Sequence, residues 1–182
     1  MTDRVLDAFL ARQQKEGLAL AADSDLLQLF PLDSSADRYI AQFTCAGLVH
    51  RQPNQIVKSH LFDVGIWFPS NYLRAADPFR VITWLGPRNI WHPNISDTAP
   101  IICVGRLAPG TGLVDILYQV FEIITWNKVT MREDDALNRA ACQWARQHQD
   151  RFPVDRRPLK RRSGDLRITD VSEQGELSGR SQ

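Results

Sequence analysis

A cysteine thiol and a side-chain amide stand nine residues apart in this chain, at Cys103 and Asn94. A thiol can carry an acyl group as a thioester, and an amide N–H can stabilise the oxyanion that forms when the thioester is attacked. Asn94 belongs to Trp91-His92-Pro93-Asn94-Ile95, a rigid turn, and Cys103 to Ile101-Ile102-Cys103-Val104-Gly105. Together they point to acyl transfer through a cysteine. Each part also has a plainer meaning. A free cysteine is among the most buried residue types, and Pro-Asn is ordinary turn chemistry. His92 could instead serve Cys103 as the general base of a cysteine hydrolase, although nothing in the sequence marks the third member of such a triad. Asp134 and Asp135 could cap a helix, or orient and deprotonate an incoming amine.

Other candidates carry less. Pro109-Gly110-Thr111-Gly112 precedes a helical pattern but lacks the phosphate-loop signature, so it is expected to be a turn. Cys45 and Cys142 read as structural. With Cys103 they make an odd, widely separated set with no CxxC pair, so a reducing cytoplasm is expected. No Cys/His set has zinc spacing, and neither a metal nor an organic cofactor is expected.

The chain has 182 residues, 43% hydrophobic and 24% charged, with a formal net charge of +1. These are ordinary values for a soluble globular protein, and they give no electrostatic reason to expect nucleic-acid or membrane partners. No apolar run is long enough to span a bilayer, and the N-terminus lacks the apolar region of a signal peptide.

The elements that must position the thiol follow from periodicity. Thr2 is a plausible cap for a first helix carrying Val5, Leu6, Phe9 and Leu10 on one stripe, and the pattern fades by Gly17. Strands are expected at 26–32, 39–50, 60–68 and 79–85, with Pro53-Asn54 as a turn, giving an antiparallel meander. Prolines and glycines then mark a loop-rich stretch. Leu113, Leu117, Val120, Phe121 and Ile124 form the buried stripe of a second helix. A last helix is expected over 135–148, capped by Asp134 or Asp135. The expected domain covers 1–152. Residues 153–182, with the basic run from Arg156 to Arg162, read as a mostly disordered tail.

In this order the parts resemble the ubiquitin-conjugating enzymes, the E2 family, over roughly residues 1–150. The resemblance rests on His92-Pro93-Asn94, Asn94-Ile95, Ile101-Ile102-Cys103-Val104, Phe68-Pro69 with Tyr72, Asp77-Pro78 and Asp134-Asp135-Ala136-Leu137-Asn138. It implies an α+β fold: an N-terminal helix, a four-stranded antiparallel meander, an active-site loop and C-terminal helices. It implies that Cys103 accepts a ubiquitin-like protein from an E1-like activating enzyme as a thioester and passes it to an amine on a protein target. Asn94 would hold the loop or stabilise the oxyanion. Asp135 would position or deprotonate the lysine, with Asp134 the second choice, and His92 and Pro93 would be structural. The Asn94–Cys103 spacing is longer than the family's usual one, and the family's Trp-Ser-Pro after the cysteine is replaced by Ala108-Pro109-Gly110-Thr111-Gly112. With the Arg-rich composition, this divergence looks like a bacterial E2-like protein of the ubiquitin-like antiviral (Bil-type) kind, found beside E1-like and deubiquitinase-like proteins. The other expectations are an E2-fold module without catalysis that only binds a ubiquitin-like protein, and the Cys103/His92 hydrolase.

Overall fold

A computed structural model describes residues 3–52 and 55–161. The first helix, α1 (Arg4–Ala22), begins at Asp3, whose carboxylate accepts from the amides of Val5 and Leu6. The expected cap, Thr2, lies outside the described residues. The helix does not fade at Gly17. Leu6, Leu10, Gln13, Gly17 and Leu20 form its buried stripe, and Gly17 is needed for close packing. A Cβ there would stand 2.7 Å from Leu113 Cδ2 and 2.9 Å from Leu29 Cδ2, closer than packed atoms approach.

Four strands make an antiparallel sheet: β1 (Leu27–Pro31), β2 (Arg38–Phe43), β5 (Phe62–Trp67) and β6 (Ile82–Gly86), in the order β1-β2-β5-β6. The run at 39–50, expected as one strand, is two. It bends after Phe43, and β3 (Gly47–Gln52) pairs with β4 (Gln55–Ser59) in a separate hairpin. Contacts distant in sequence fix the bend. Thr44 N–H donates to Leu26 O at 2.8 Å, and Ala46 N–H to Asp155 Oδ2 at 3.0 Å. Cys45 therefore sits in the bend, fully buried. The turn expected at Pro53-Asn54 lies outside the described residues. The strand expected at 79–85 begins as a helical turn, α2 (Pro78–Val81), capped by Asp77, and becomes β6 only at Ile82.

The inner face of the sheet (Tyr39, Ala41, Phe43, Phe62, Val64, Ile66, Ile82, Trp84) packs with α3 (Leu113–Ile124) into one core. The expected stripe of α3 is buried at all five positions. No side chain of its own caps α3; instead Gln13 Oε1, from α1, accepts from Leu113 N–H at 2.8 Å. The last helix is shorter than expected. A 3-10 turn, Glu133–Asp135, comes first. Then α4 (Arg139–Gln147) starts at Asn138, whose side chain accepts from Ala141 N–H at 2.9 Å. Asp134 and Asp135 thus do not cap it. Its outer end continues into a second 3-10 turn, Gln149–Arg151.

The segment 153–161, expected to belong to the tail, lies on the domain. Leu159 is buried in the main core, Asp155 carries the bond to Ala46, and Arg161 N–H donates to Asp23 O at 2.8 Å. Residues 162–182 lie outside the described part.

Candidate active site

Asn94 and Cys103 face each other across a short two-stranded turn. Cys103 N–H donates to Asn94 O at 2.7 Å, and Ile95 bridges Ile102 in antiparallel fashion. The extra residues of the long spacing do not separate the pair. They fold into a knot at 96–101, where Ser96 N–H donates to Ile101 O and Ser96 Oγ accepts from the amides of Thr98 and Ala99. An insertion that closes on its own hydrogen bonds leaves its two ends in register.

Asn94 is 4% exposed and all three of its amide functions are occupied. Its Oδ1 accepts from Thr130 N–H at 2.8 Å. Its Nδ2 donates to Thr130 Oγ1 at 2.9 Å and to Cys103 O at 3.2 Å. An amide NH2 has two hydrogens, so none is left over in this arrangement. Thr130 carries no periodic or motif signal in the sequence, and sequence reasoning passes over it.

His92 is fully buried and its Nδ1 accepts from Asn94 N–H at 3.0 Å. The ring stands edge-on to Trp126, centroids 4.6 Å apart. Burial alone pushes its pKa down to about 3, so the ring is neutral at physiological pH. Its tautomer follows: Nδ1 is the acceptor and Nε2 carries the hydrogen. Buried, neutral and with Nδ1 occupied by the Asn94 amide, His92 packs within the turn. Trp126 in turn holds a left-handed backbone, φ 62°, at the end of α3. Such a conformation is costly for a bulky residue. Packing of the indole against His92, Trp144 and Phe152 holds it there.

Pro93 O accepts from the amides of Leu137 at 2.9 Å and Asn138 at 3.2 Å. The acidic arch 131–136 is thus pinned to the His-Pro-Asn turn at both ends, by Thr130 on Asn94 and by Leu137 and Asn138 on Pro93. Asp134 and Asp135 are both exposed on this arch. Asp135 Oδ2 lies 3.4 Å from Arg132 Nε, and Asp135 makes no hydrogen bond to Cys103 or Asn94 among the described residues. The structure therefore pins the arch and the thiol loop to the same turn.

Cys103 is partly exposed, whereas Cys45 and Cys142 are buried. Burial pushes the Cys45 thiol up to about 12 and raises that of Cys142, whose Sγ donates to Thr130 O at 3.4 Å. After Cys103 the chain is gripped again: Val104 O accepts from Lys128 Nζ at 2.6 Å. Two successive carbonyls, Cys103 O and Val104 O, are thereby tied to the segment 128–130, directly or through Asn94. Gly105 turns away at φ 92°, in the left-handed region that favours glycine. Among the described residues no cluster of His, Cys, Asp or Glu could hold a metal ion, and no helix is long and apolar enough to cross a membrane.

No protein-family model matches the chain, and no curated protein matches it in sequence. Solved structures do match in shape. One is described as a novel ubiquitin-conjugating enzyme, with a TM-score of 0.55 and 14% identity, covering 80% of this chain and 88% of the other. A second is described as a ubiquitin-conjugating enzyme, so assigned provisionally, from Plasmodium yoelii, with a TM-score of 0.53 and 19% identity over 79% of this chain and 87% of that one. At such identities the likeness speaks to architecture: this chain, with its N-terminal helix and antiparallel sheet, has the ubiquitin-conjugating fold.

Proposed function

We propose that the protein is an E2-type conjugating enzyme. It accepts the C-terminus of a ubiquitin-like protein from an E1-like activating enzyme as a thioester on Cys103, and transfers it to an amine of a protein target. The observation that carries this reading is the pairing of the partly exposed Cys103 with Asn94 of the His-Pro-Asn turn, within a ubiquitin-conjugating fold.

The steps assigned to the chain's own residues are few. The Cys103 thiolate attacks the incoming thioester carbonyl and displaces the activating enzyme's thiol. Asn94 holds the loop in register through its bonds to Thr130 and Cys103. To serve as an oxyanion donor during discharge, it must release one of its two Nδ2 contacts. Asp135, exposed on the pinned arch, is assigned to receive a target ammonium, with Asp134 the second choice; its present partner is the exposed Arg132. His92 and Pro93 keep the turn rigid.

The ATP for the acyl bond is spent by the activating enzyme, and this chain needs neither metal nor cofactor for its own step. The bacterial setting, with a ubiquitin-like antiviral (Bil-type) pathway and a deubiquitinase-like partner, is inferred from the sequence divergence and Arg-rich composition, and the cytoplasmic one from the odd, widely separated cysteines. Retention of the Cys103 thiol beside Asn94 speaks against a merely binding module.

The experiment is charging. With a cognate activating enzyme, ubiquitin-like protein and ATP, the chain gives a reductant-sensitive adduct that disappears in Cys103→Ala. An unchanged adduct in Cys103→Ala, or none with an active partner, refutes the assignment.

A further inference from the structure

The β3–β4 hairpin and the outer end of α4 wall a cavity of about 290 Å³ that neither Cys103 nor Asn94 lines. Its walls are His50 and Ile56 of the hairpin, Trp91, Trp144, His148 and Arg151. It lies on the smaller apolar cluster around Leu48, Trp126 and Ala145, against which Ile56, Trp91 and Trp144 pack. Both walls are held by hydrogen bonds. His50 N–H donates to Asn89 O at 2.7 Å and Trp91 N–H to Leu48 O at 2.9 Å, which joins the hairpin to Trp91. On the other side His148 Nδ1–H donates to Trp144 O at 2.9 Å, and Arg151 N–H to His148 O at 3.0 Å. The cavity is thus preformed, and a ligand entering it has little of the chain to order.

Four of the six lining side chains are aromatic. The His50 and Trp91 rings lie 5.2 Å apart, and His148 stacks on Trp144 at 4.9 Å. The Arg151 guanidinium stands over Trp144, 5.6 Å from the ring centre. Ligand sites usually enclose about 300–1,000 Å³, so this cavity takes one ring or one side chain and not a large cofactor. Charge narrows the occupant further. Residues 44–62 contain no Asp or Glu but carry Arg51 and Lys58; Asp150 is the one acid over 136–151, against Arg139, Arg146 and Arg151. Arg146 is paired with Glu133, whereas Arg151 and Lys58 have no ion pair among the described residues. Lys58 follows Ile56 by two residues along β4 and so shares its face. Cations around an aromatic cavity repel a cationic ligand and attract carboxylates. Each indole already carries an imidazole, and the space holds a single ring. That suits one anchoring side chain better than a run of stacked bases.

We propose that this cavity docks an acidic peptide segment of a protein partner: one aromatic side chain enters between the hairpin wall and the α4 wall, and its flanking carboxylates meet Arg151 and Lys58. The docking needs neither a thioester nor an activating enzyme, so it stands apart from the chemistry of Cys103. The cavity nevertheless adjoins the scaffold of the thiol loop on two sides. Trp91 precedes His92 in the chain, and Trp144 packs on Trp126, which packs on His92. A segment docked here is held beside the turn that carries Asn94.

Calorimetric titration of the full chain tests this with three end-blocked peptides, Asp-Glu-X-Glu-Asp, in which X is Phe, Tyr or Trp. At low salt at least one is expected to reach half-saturation below about 0.1 mM. Its Ala-centred counterpart binds at least about tenfold more weakly, because the buried ring is gone. Arg151→Glu weakens binding at least about tenfold and Lys58→Glu about threefold. Arg74→Glu, the same charge change on the turn after β5, stays within about twofold. All three side chains are exposed, so none of these changes disturbs the core. No binding by any of the three peptides overturns the proposal, as does an Ala-centred peptide that binds equally well. An equal loss in Arg74→Glu also overturns it, since net charge alone would then be the attraction. So does a ten-nucleotide oligothymidylate that binds more tightly than the peptides and weakens in Arg151→Glu, which would make the cavity a nucleic-acid site.

Discussion

Thr130 grips Asn94 from both sides: its N–H donates to Asn94 Oδ1 at 2.8 Å and its Oγ1 accepts from Asn94 Nδ2 at 2.9 Å. The amide is thus a structural brace in the uncharged protein, and any electrostatic role requires letting go of one partner. Thr130→Val keeps the shape and the backbone donor but frees one Asn94 hydrogen. It is expected to lose about 1 kcal/mol of stability and to charge normally, and its discharge onto free lysine should be no slower than wild type. Asn94→Asp keeps the acceptor for Thr130 N–H but has no N–H to give. Its discharge should fall by on the order of 10²-fold, with charging within a few-fold. Single-turnover charging and discharge measure the two steps separately. Equal losses in both steps for Asn94→Asp would mean that the brace is the residue's whole contribution.

The three thiols should differ in reactivity by their surroundings. Cys45 is fully buried with its pKa pushed up to about 12, and Cys142 is buried and engaged with Thr130 O. The thiolate is the reactive form, and it must also be reached. Native iodoacetamide labelling at pH 8, followed by peptide mapping, is expected to modify Cys103 at least about tenfold faster than either of the others. Comparable labelling of Cys45 in the folded protein contradicts the burial described here.

Acid stability should report the segment 153–161. The Asp155 side chain is 6% exposed. Its bonds with the Arg157 guanidinium, and then with the amides of Ala46 and Arg157, hold its pKa down at about 2. A carboxylate whose folded pKa lies below its unfolded one stabilises the fold above about pH 4 and loses that contribution as pH falls through about 2. Asp155→Asn is therefore expected to be less stable by about 1–2 kcal/mol at pH 7, with the gap to wild type closing between about pH 4 and pH 2. Urea unfolding of both proteins at pH 7, 4 and 2.5 measures the gap. A gap unchanged at the lowest pH assigns the effect to packing instead.

What could be read from the sequence was what local pattern encodes. The α3 stripe from Leu113 to Ile124 and the alternation through Phe62, Val64, Ile66 and Phe68 come from burial on one face, which periodicity reports directly. The His92-Pro93-Asn94 turn and the thiol at Cys103 were legible as parts. Their pairing was not, because it depends on how residues 96–101 fold back through Ser96. The break after Phe43 was hidden because Tyr39, Ala41, Phe43 and Cys45 keep alternating through it; the partners that bend the chain are Leu26 and Asp155. The start of α4 moved from Asp134 or Asp135 to Asn138 because Pro93 O captures the amides of Leu137 and Asn138. One buried apolar residue, Leu159, in a basic run is too sparse a signal to mark 153–161 as part of the fold.

The bracing of the thiol loop also sets how it opens. The amides of Asn94, Cys103 and Thr130 donate respectively to His92 Nδ1, Asn94 O and Asn94 Oδ1, and the His92 ring is wedged against Trp126. None of these bonds can be broken alone without orphaning a partner in the same cluster. Hydrogen exchange at the three amides is then governed by cooperative opening together with the Trp126 cluster rather than by fraying of a loop. The thiol loop is therefore expected to exchange with the core and not with the surface loops.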